Sequence, residues 1–104
     1  LPLENELRIV KLTDIVYCQS DNNYTWFYLL DGEKILVSRG LFEFDALLPE
    51  SSFVRCHQSY IVDVGFVKSL LREGSSSYLK TTLDQIIPVS RAKKDFVKVK
   101  LTNR

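Results

Sequence analysis

Methionine is absent from the 104 residues. The sequence therefore reads as a processed or excised piece of a longer protein, with residues 1–6 as the remnant of a linker and residues 7–104 as one domain. The missing neighbour is expected on the N-terminal side. Long apolar runs are also lacking; a spanning helix needs about 20 such residues, so no membrane segment is expected. Leu1–Val10 carries Glu4, Glu6 and Arg8, which leaves no apolar core for a secretory signal. Cysteine occurs twice, as Cys18 and Cys56, each inside an apolar stretch. Without a secretory signal these read as reduced, intracellular core residues in a cytoplasmic protein. Histidine occurs once, as His57, and this excludes the usual multi-histidine metal sets. The four glycines sit at turns or element boundaries, so no phosphate-cradling loop exists and no cofactor is expected. Charge of one sign is scarce as well. The formal net charge is +1, small for a nucleic-acid binder.

Aromatic residues are plentiful: one Trp, five Tyr and six Phe. Such side chains suit a pleated, half-buried surface, and a mainly β fold follows. Strands are expected at Leu7–Leu12, Ile15–Gln19, Tyr24–Leu30 and Lys34–Ser38, with Asp31-Gly32 as a hairpin turn. Leu41, Phe44, Leu47 and Leu48 recur at helical spacing and predict a short helix over Gly40–Leu48, stopped by Pro49. Extended structure resumes at Phe53–Cys56, and Gln58–Asp63 reads as a turn with a short helix. Phe66–Arg72 and Tyr78–Leu83 form a hairpin across Glu73-Gly74-Ser75-Ser76, and Ile86–Val89 extends that sheet. Ser90 is a candidate N-cap for a helix from Arg91 to about Lys100, whose apolar face would be Ala92, Phe96 and Val99. Charge is unevenly spread. Residues 91–104 hold Arg91, Lys93, Lys94, Lys98, Lys100 and Arg104 against Asp95 alone, whereas residues 1–50 are net acidic.

Catalytic constellations are missing. In an extended segment neighbouring side chains point to opposite faces, which separates Cys56 from His57. Asp14, Asp21, Asp31 and Asp63 each fall at an expected turn, where aspartate serves the backbone. No enzyme activity is expected. The run Trp26-Phe27-Tyr28 lacks the interleaved basic residues of a single-strand-binding groove and reads as core.

Three segments carry more information. They are Ile15–Thr25 (IVYCQSDNNYT), Phe53–Asp63 (FVRCHQSYIVD) and Ile87–Arg91 (IPVSR). In order and spacing they resemble the LytTR DNA-binding domain, and the likeness extends from about Leu7 to Val99. The resemblance implies packed antiparallel β-sheets with short helices, and loops that enter successive DNA grooves. It also implies the output half of a response regulator: a receiver domain ahead of this one, a cognate sensor kinase, and two copies on repeated half-sites of double-stranded promoter DNA.

Residue by residue, the resemblance places Arg91 at the family's base-reading arginine, where a guanidinium fork matches guanine O6 and N7. Asn23 and Tyr24 lie at a loop position that reaches DNA, although Asn23 also suits a plain turn and Tyr24 a core aromatic. Gln58 is a further contact position, and His57 either organises that loop or donates to a phosphate. Lys93, Lys94 and Arg55 are candidate phosphate contacts, which set register without reading sequence. The chain departs from the family at Gln58, at Asp63 where Asn is usual, and at Asp84-Gln85 where Asp-Gly is usual. Asp63, Gln58 and the low charge keep a second reading open, a protein-interaction or dimerisation module that does not bind DNA.

Overall fold

Among the described residues of the computed structural model, Leu1 and residues 7–104, eight strands and two α-helices follow one another. Residues 2–6, which hold most of the expected linker remnant, lie outside the described residues. The strands are β1 (Ile15–Asp21), β2 (Tyr24–Leu29), β3 (Lys34–Val37), β4 (Phe53–His57), β5 (Tyr60–Asp63), β6 (Val67–Glu73), β7 (Ser76–Thr81) and β8 (Ile86–Val89). Helix α1 (Leu41–Leu47) follows β3, and α2 (Lys94–Thr102) follows β8. All pairings are antiparallel, in a five-stranded sheet of order β3-β2-β1-β5-β4 and a three-stranded sheet β6-β7-β8. The expected mainly β fold of packed sheets with short helices is the one found.

The central strand β1 explains the packing. Ile15, Val16, Tyr17 and Cys18 are all buried, so both faces of the five-stranded sheet are covered. One core layer joins Ile15, Cys18, Phe27 and Ile61 to Leu41, Phe44 and Leu48 of the α1 region. The other joins Val16, Tyr17, Val54, Cys56 and Val62 to Val67, Leu79, Ile87 and Val97, from the small sheet and α2. The Phe27 and Phe44 rings meet edge to face at 4.7 Å, a favoured aromatic geometry. Thr25, fully buried, donates its hydroxyl to the Arg39 carbonyl, which removes the penalty for a buried polar group. Both cysteines are free and buried.

Four expectations need correction. Leu7–Leu12 is not a strand: Leu7 makes an isolated bridge and Leu12–Asp14 is a 3-10 turn. Alternation there gives two faces that each mix apolar and charged residues, so burial selects no register; Ile9 is 85% exposed. The segment expected as turn plus helix is strand β5, and the 3-10 turn comes after it, at Val64–Phe66. Ser90 makes no side-chain cap; its backbone N–H instead donates to the Cys56 carbonyl at 2.9 Å. A 3-10 turn over Arg91–Lys93 precedes α2 and rotates the helix from its expected setting. Val97 is the residue buried on α2, while Phe96 and Val99 are 51% and 57% exposed.

Candidate nucleic-acid interface

Three chain reversals assemble at one end of the molecule, and backbone hydrogen bonds hold them together. The first is the β1–β2 hairpin, closed by the Asp21–Tyr24 pair across Asn22-Asn23. Asn22 takes φ 54°, a left-handed conformation that asparagine tolerates better than most residues. The second is the β4–β5 hairpin, with Gln58-Ser59 at its tip. The third is the segment Ser90–Lys93 after β8. The Ser20 N–H donates to the Ser59 carbonyl at 2.9 Å and joins the first reversal to the second. The Ser90 bond to Cys56 joins the third to β4 and bridges the two sheets.

The β4–β5 tip is built in detail. A one-residue bulge between Val54 and His57 breaks strict alternation and re-aims the last residue of the strand. His57 thus pairs with Tyr60, and their rings meet edge to face at 5.6 Å. The opposite-face argument for Cys56 and His57 therefore does not hold through the bulge. Beneath them Tyr17 stacks on Tyr28 with centroids 4.2 Å apart and planes 7° from parallel. Burial raises the Tyr17 hydroxyl well above its ordinary value, and the neighbouring tyrosines Tyr28 and Tyr60 add to the shift. His57 Nδ1 accepts the Ser59 N–H at 3.1 Å. That leaves Nε2 to carry the proton as a donor.

Arg55 is turned inward. Its Nε donates to the His57 carbonyl at 3.0 Å, Nη2 to the Gln58 carbonyl, and Nη1 to Asp45 at 3.1 Å. It braces the tip from below. The Gln58 side chain is exposed. Tyr24 is 46% exposed and Asn23 is also exposed, so neither is a core residue. In the run next to them, only Phe27 is fully buried; Trp26 and Tyr28 are partly covered, Trp26 by the Lys34 ammonium at 4.6 Å.

Two adjoining hollows share His57 and Ser90. One, of about 210 Å³, is lined in part by Arg91, Lys94, Ser75 and Ser76, with no carboxylate among the described residues of its wall. The other, of about 550 Å³, is lined in part by Gln58, Arg55 and Lys93; among the described residues its only acid is Asp45, already paired with Arg55 at 3.1 Å. Arg91 is exposed and donates Nη2 to the Ser75 hydroxyl at 3.0 Å. Cations in a concave wall without counter-charges among the described residues focus positive potential there. Two further cations of the basic tail are used elsewhere: Lys100 donates to the Glu50 carbonyl, and Arg104 to the carbonyls of Val64 and Val67.

Of the expected site residues, His57, Gln58, Arg91, Lys93 and Lys94 thus share one wall with Arg55 behind them. Asn23 and Tyr24 stand on the neighbouring hairpin. Asp63 lies at the opposite end of β5, paired with Phe53, and accepts the Gly65 N–H at 2.8 Å as the cap of the following turn. Its charge is therefore away from the cationic wall. At the other departure, Asp84 itself takes the left-handed conformation, φ 63°, and faces Lys68 and Lys80 at 3.5 and 3.7 Å.

Residues 5–102 match the family model described as the LytTr DNA-binding domain. The chain belongs to the LytTR DNA-binding domain family. The transcriptional regulatory protein YpdB of Escherichia coli K12 is 28% identical over 92 residues, and YpdB of Shigella flexneri matches equally. The match covers 86% of this chain but 37% of each relative, so this LytTR domain spans little more than a third of their length. Among solved structures, a similar one is the LytTr DNA-binding domain of a Bacillus cereus protein described as a methyl-accepting/DNA response regulator. It superposes with a TM-score of 0.83 at 25% identity, covering 97% of this chain and 93% of that one.

Ser75 has no signal in the sequence that would place it at this LytTR domain's cationic wall. Glu73–Ser76 reads as a turn, and only the pairing of β7 with β8 brings it beside Arg91. Asp45 is hidden for the same reason, since its role depends on where α1 docks. No helix among the described residues is long and apolar enough to cross a membrane.

Proposed function

We propose that this domain binds double-stranded promoter DNA sequence-specifically, as the output domain of a two-component response regulator. The observation that carries the reading is the convergence of three reversals on a concave wall whose Arg91, Lys93 and Lys94 have no carboxylate partner among the described residues. Arg91 reads a guanine edge, its planar fork matching O6 and N7. Lys93 and Lys94 neutralise phosphates. Gln58 and the Asn23-Tyr24 tip make the remaining base or phosphate contacts, with the His57 Nε2 proton available to a phosphate. Arg55 serves the site by bracing the His57-Gln58 backbone. Catalysis has no part in this reading.

In the parent protein, residues 1–6 are the end of a linker from an N-terminal receiver domain addressed by a sensor kinase, and the whole works in the cytoplasm. Two domains occupy repeated half-sites about one helical turn apart, so that both approach the same side of the duplex. The support for this context is the length of the YpdB relatives and the description of the Bacillus cereus protein.

The deciding experiment is selection of bound duplexes from a random DNA pool, followed by sequencing. A short repeated motif is expected. If neither the isolated domain nor a tethered dimer enriches any sequence, DNA recognition is refuted and the interaction-module reading replaces it.

A further inference from the structure

We propose that the turn joining β6 and β7 is a further part of the DNA interface, and that Ser75 in it is the positioning residue for Arg91. The inference rests on the DNA-binding reading above and adds an element that the resemblance did not assign.

The backbone argues for it first. Glu73 pairs with Ser76 across Gly74-Ser75, and Gly74 takes φ +61°, its Cα facing open space. The reversal is therefore tight and its position is set by the strands behind it. On the other edge of β7, Ser77 pairs with Val89, two residues before Arg91. The sheet register thus carries the turn to the root of the Arg91 side chain. Ser77 is buried, while Ser75 and Ser76 are exposed.

The side chains argue for it next. The Ser75 hydroxyl accepts from Arg91 Nη2 at 3.0 Å. Free in solution, an arginine this exposed samples many rotamers, and ordering it against a base opposes binding. A hydrogen bond to a rigid turn restricts those rotamers before DNA arrives. It occupies one of the five guanidinium N–H groups and leaves enough for a two-pronged contact. The hollow around this pair also holds His57 and Lys94, and Glu73 is not part of its wall. A phosphate-bearing strand therefore meets hydroxyls and cations there, with no repelling charge among the described residues of the wall.

The test uses the whole 104-residue chain and the duplex obtained by selection, together with that duplex altered at the base pair whose preference Arg91→Ala abolishes. Ser75→Ala is expected to lose discrimination at that pair by roughly 3- to 10-fold, the effect of one net hydrogen bond. Ser75→Thr is expected to restore it. In an Arg91→Ala background, Ser75→Ala is expected to add nothing. Full discrimination by Ser75→Ala overturns the proposal, and so does a loss that persists without Arg91. A lowered melting temperature with equal weakening at every base pair overturns it too, since the serine would then act through the fold. If the wild-type chain selects no duplex, the DNA-binding reading falls and this inference falls with it; a wild type that selects while Ser75→Ala matches it removes the inference alone.

Discussion

Replacing Arg91 by alanine separates base reading from every other role its side chain could have. The side chain is exposed and its one hydrogen-bond partner among the described residues is Ser75, also exposed. Removing such a group changes folding stability by no more than about 0.5 kcal/mol, so the melting temperature should barely move. If the guanidinium holds a guanine edge, its loss costs roughly 1–3 kcal/mol of binding, which is about 5- to 150-fold in Kd. The loss should be confined to duplexes that carry the preferred base, so that specificity relaxes at one position. Salt dependence supplies an independent check. Each phosphate neutralised contributes about 0.9 to the slope of log K against log salt. Arg91→Ala should leave that slope unchanged, whereas Lys93→Ala and Lys94→Ala should each lower it by about 0.9 and weaken all sequences alike. Fluorescence anisotropy titrations at several salt concentrations, on matched and mismatched duplexes, measure all of this. Uniform weakening with a reduced slope in Arg91→Ala would assign the arginine to a phosphate, and unchanged binding would remove it from the interface.

Val97→Ala should cost about 2 kcal/mol in chemical denaturation, because it empties a fully buried site, whereas Phe96→Ala, half in solvent, should cost under about 1 kcal/mol; the reverse order would restore the helix setting read from periodicity. Burial raises the Asp63 carboxyl above its ordinary 3.8, with the Gly65 N–H partly opposing. A group raised in this way stabilises the fold fully below 3.8 and loses that contribution as pH rises through its folded value. Asp63→Asn keeps an acceptor for Gly65 without the charge, so it should melt higher than wild type near neutral pH and converge with it below 3.8; a variant less stable at neutral pH refutes the sign. Burial pushes the Cys56 thiol up to about 12 and raises Cys18 as well. Since thiolate is the reactive form, a thiol reagent at mildly alkaline pH should leave the native chain untouched and label both cysteines in denaturant; rapid native labelling would contradict the burial.

Local patterns carried much of the fold into view. The aromatic and β-branched runs became β1, β2 and β3, the Leu41–Leu48 spacing became α1, and Asp31-Gly32 became a turn with Gly32 at φ 90°. Short-range rules succeed there because the same few residues supply both the signal and the partners. They failed at Leu7–Leu12, where neither face is uniformly apolar, and in α2, where one turn of 3-10 geometry after Ser90 rotates every later side chain. They also missed the bulge in β4, which moves His57 onto the face of Tyr60. A bulge has no marker of its own in the residues, since it depends on how the partner strand is spaced.

By itself, the sequence determined a mainly β domain with two short helices and two core cysteines, because composition and periodicity act between near neighbours. It also carried the three segments, ending at Arg91, whose likeness to the LytTR family names the site. Only the tertiary structure decided which basic residues share a wall, that Arg55 braces a turn from behind, that Asp63 lies at the end of β5 away from that wall, and that Ser75 touches Arg91. The shared wall and the Ser75–Arg91 contact depend on segments far apart in the chain meeting through the Ser20–Ser59 and Ser90–Cys56 hydrogen bonds and the β7–β8 pairing, and the Arg55 brace depends on the bulged β4–β5 hairpin. Such contacts form because packing on both faces of the five-stranded sheet fixes its β1–β2 and β4–β5 reversals at one end, with the β2–β3 reversal at the other, a cooperative outcome that no local stretch of residues contains.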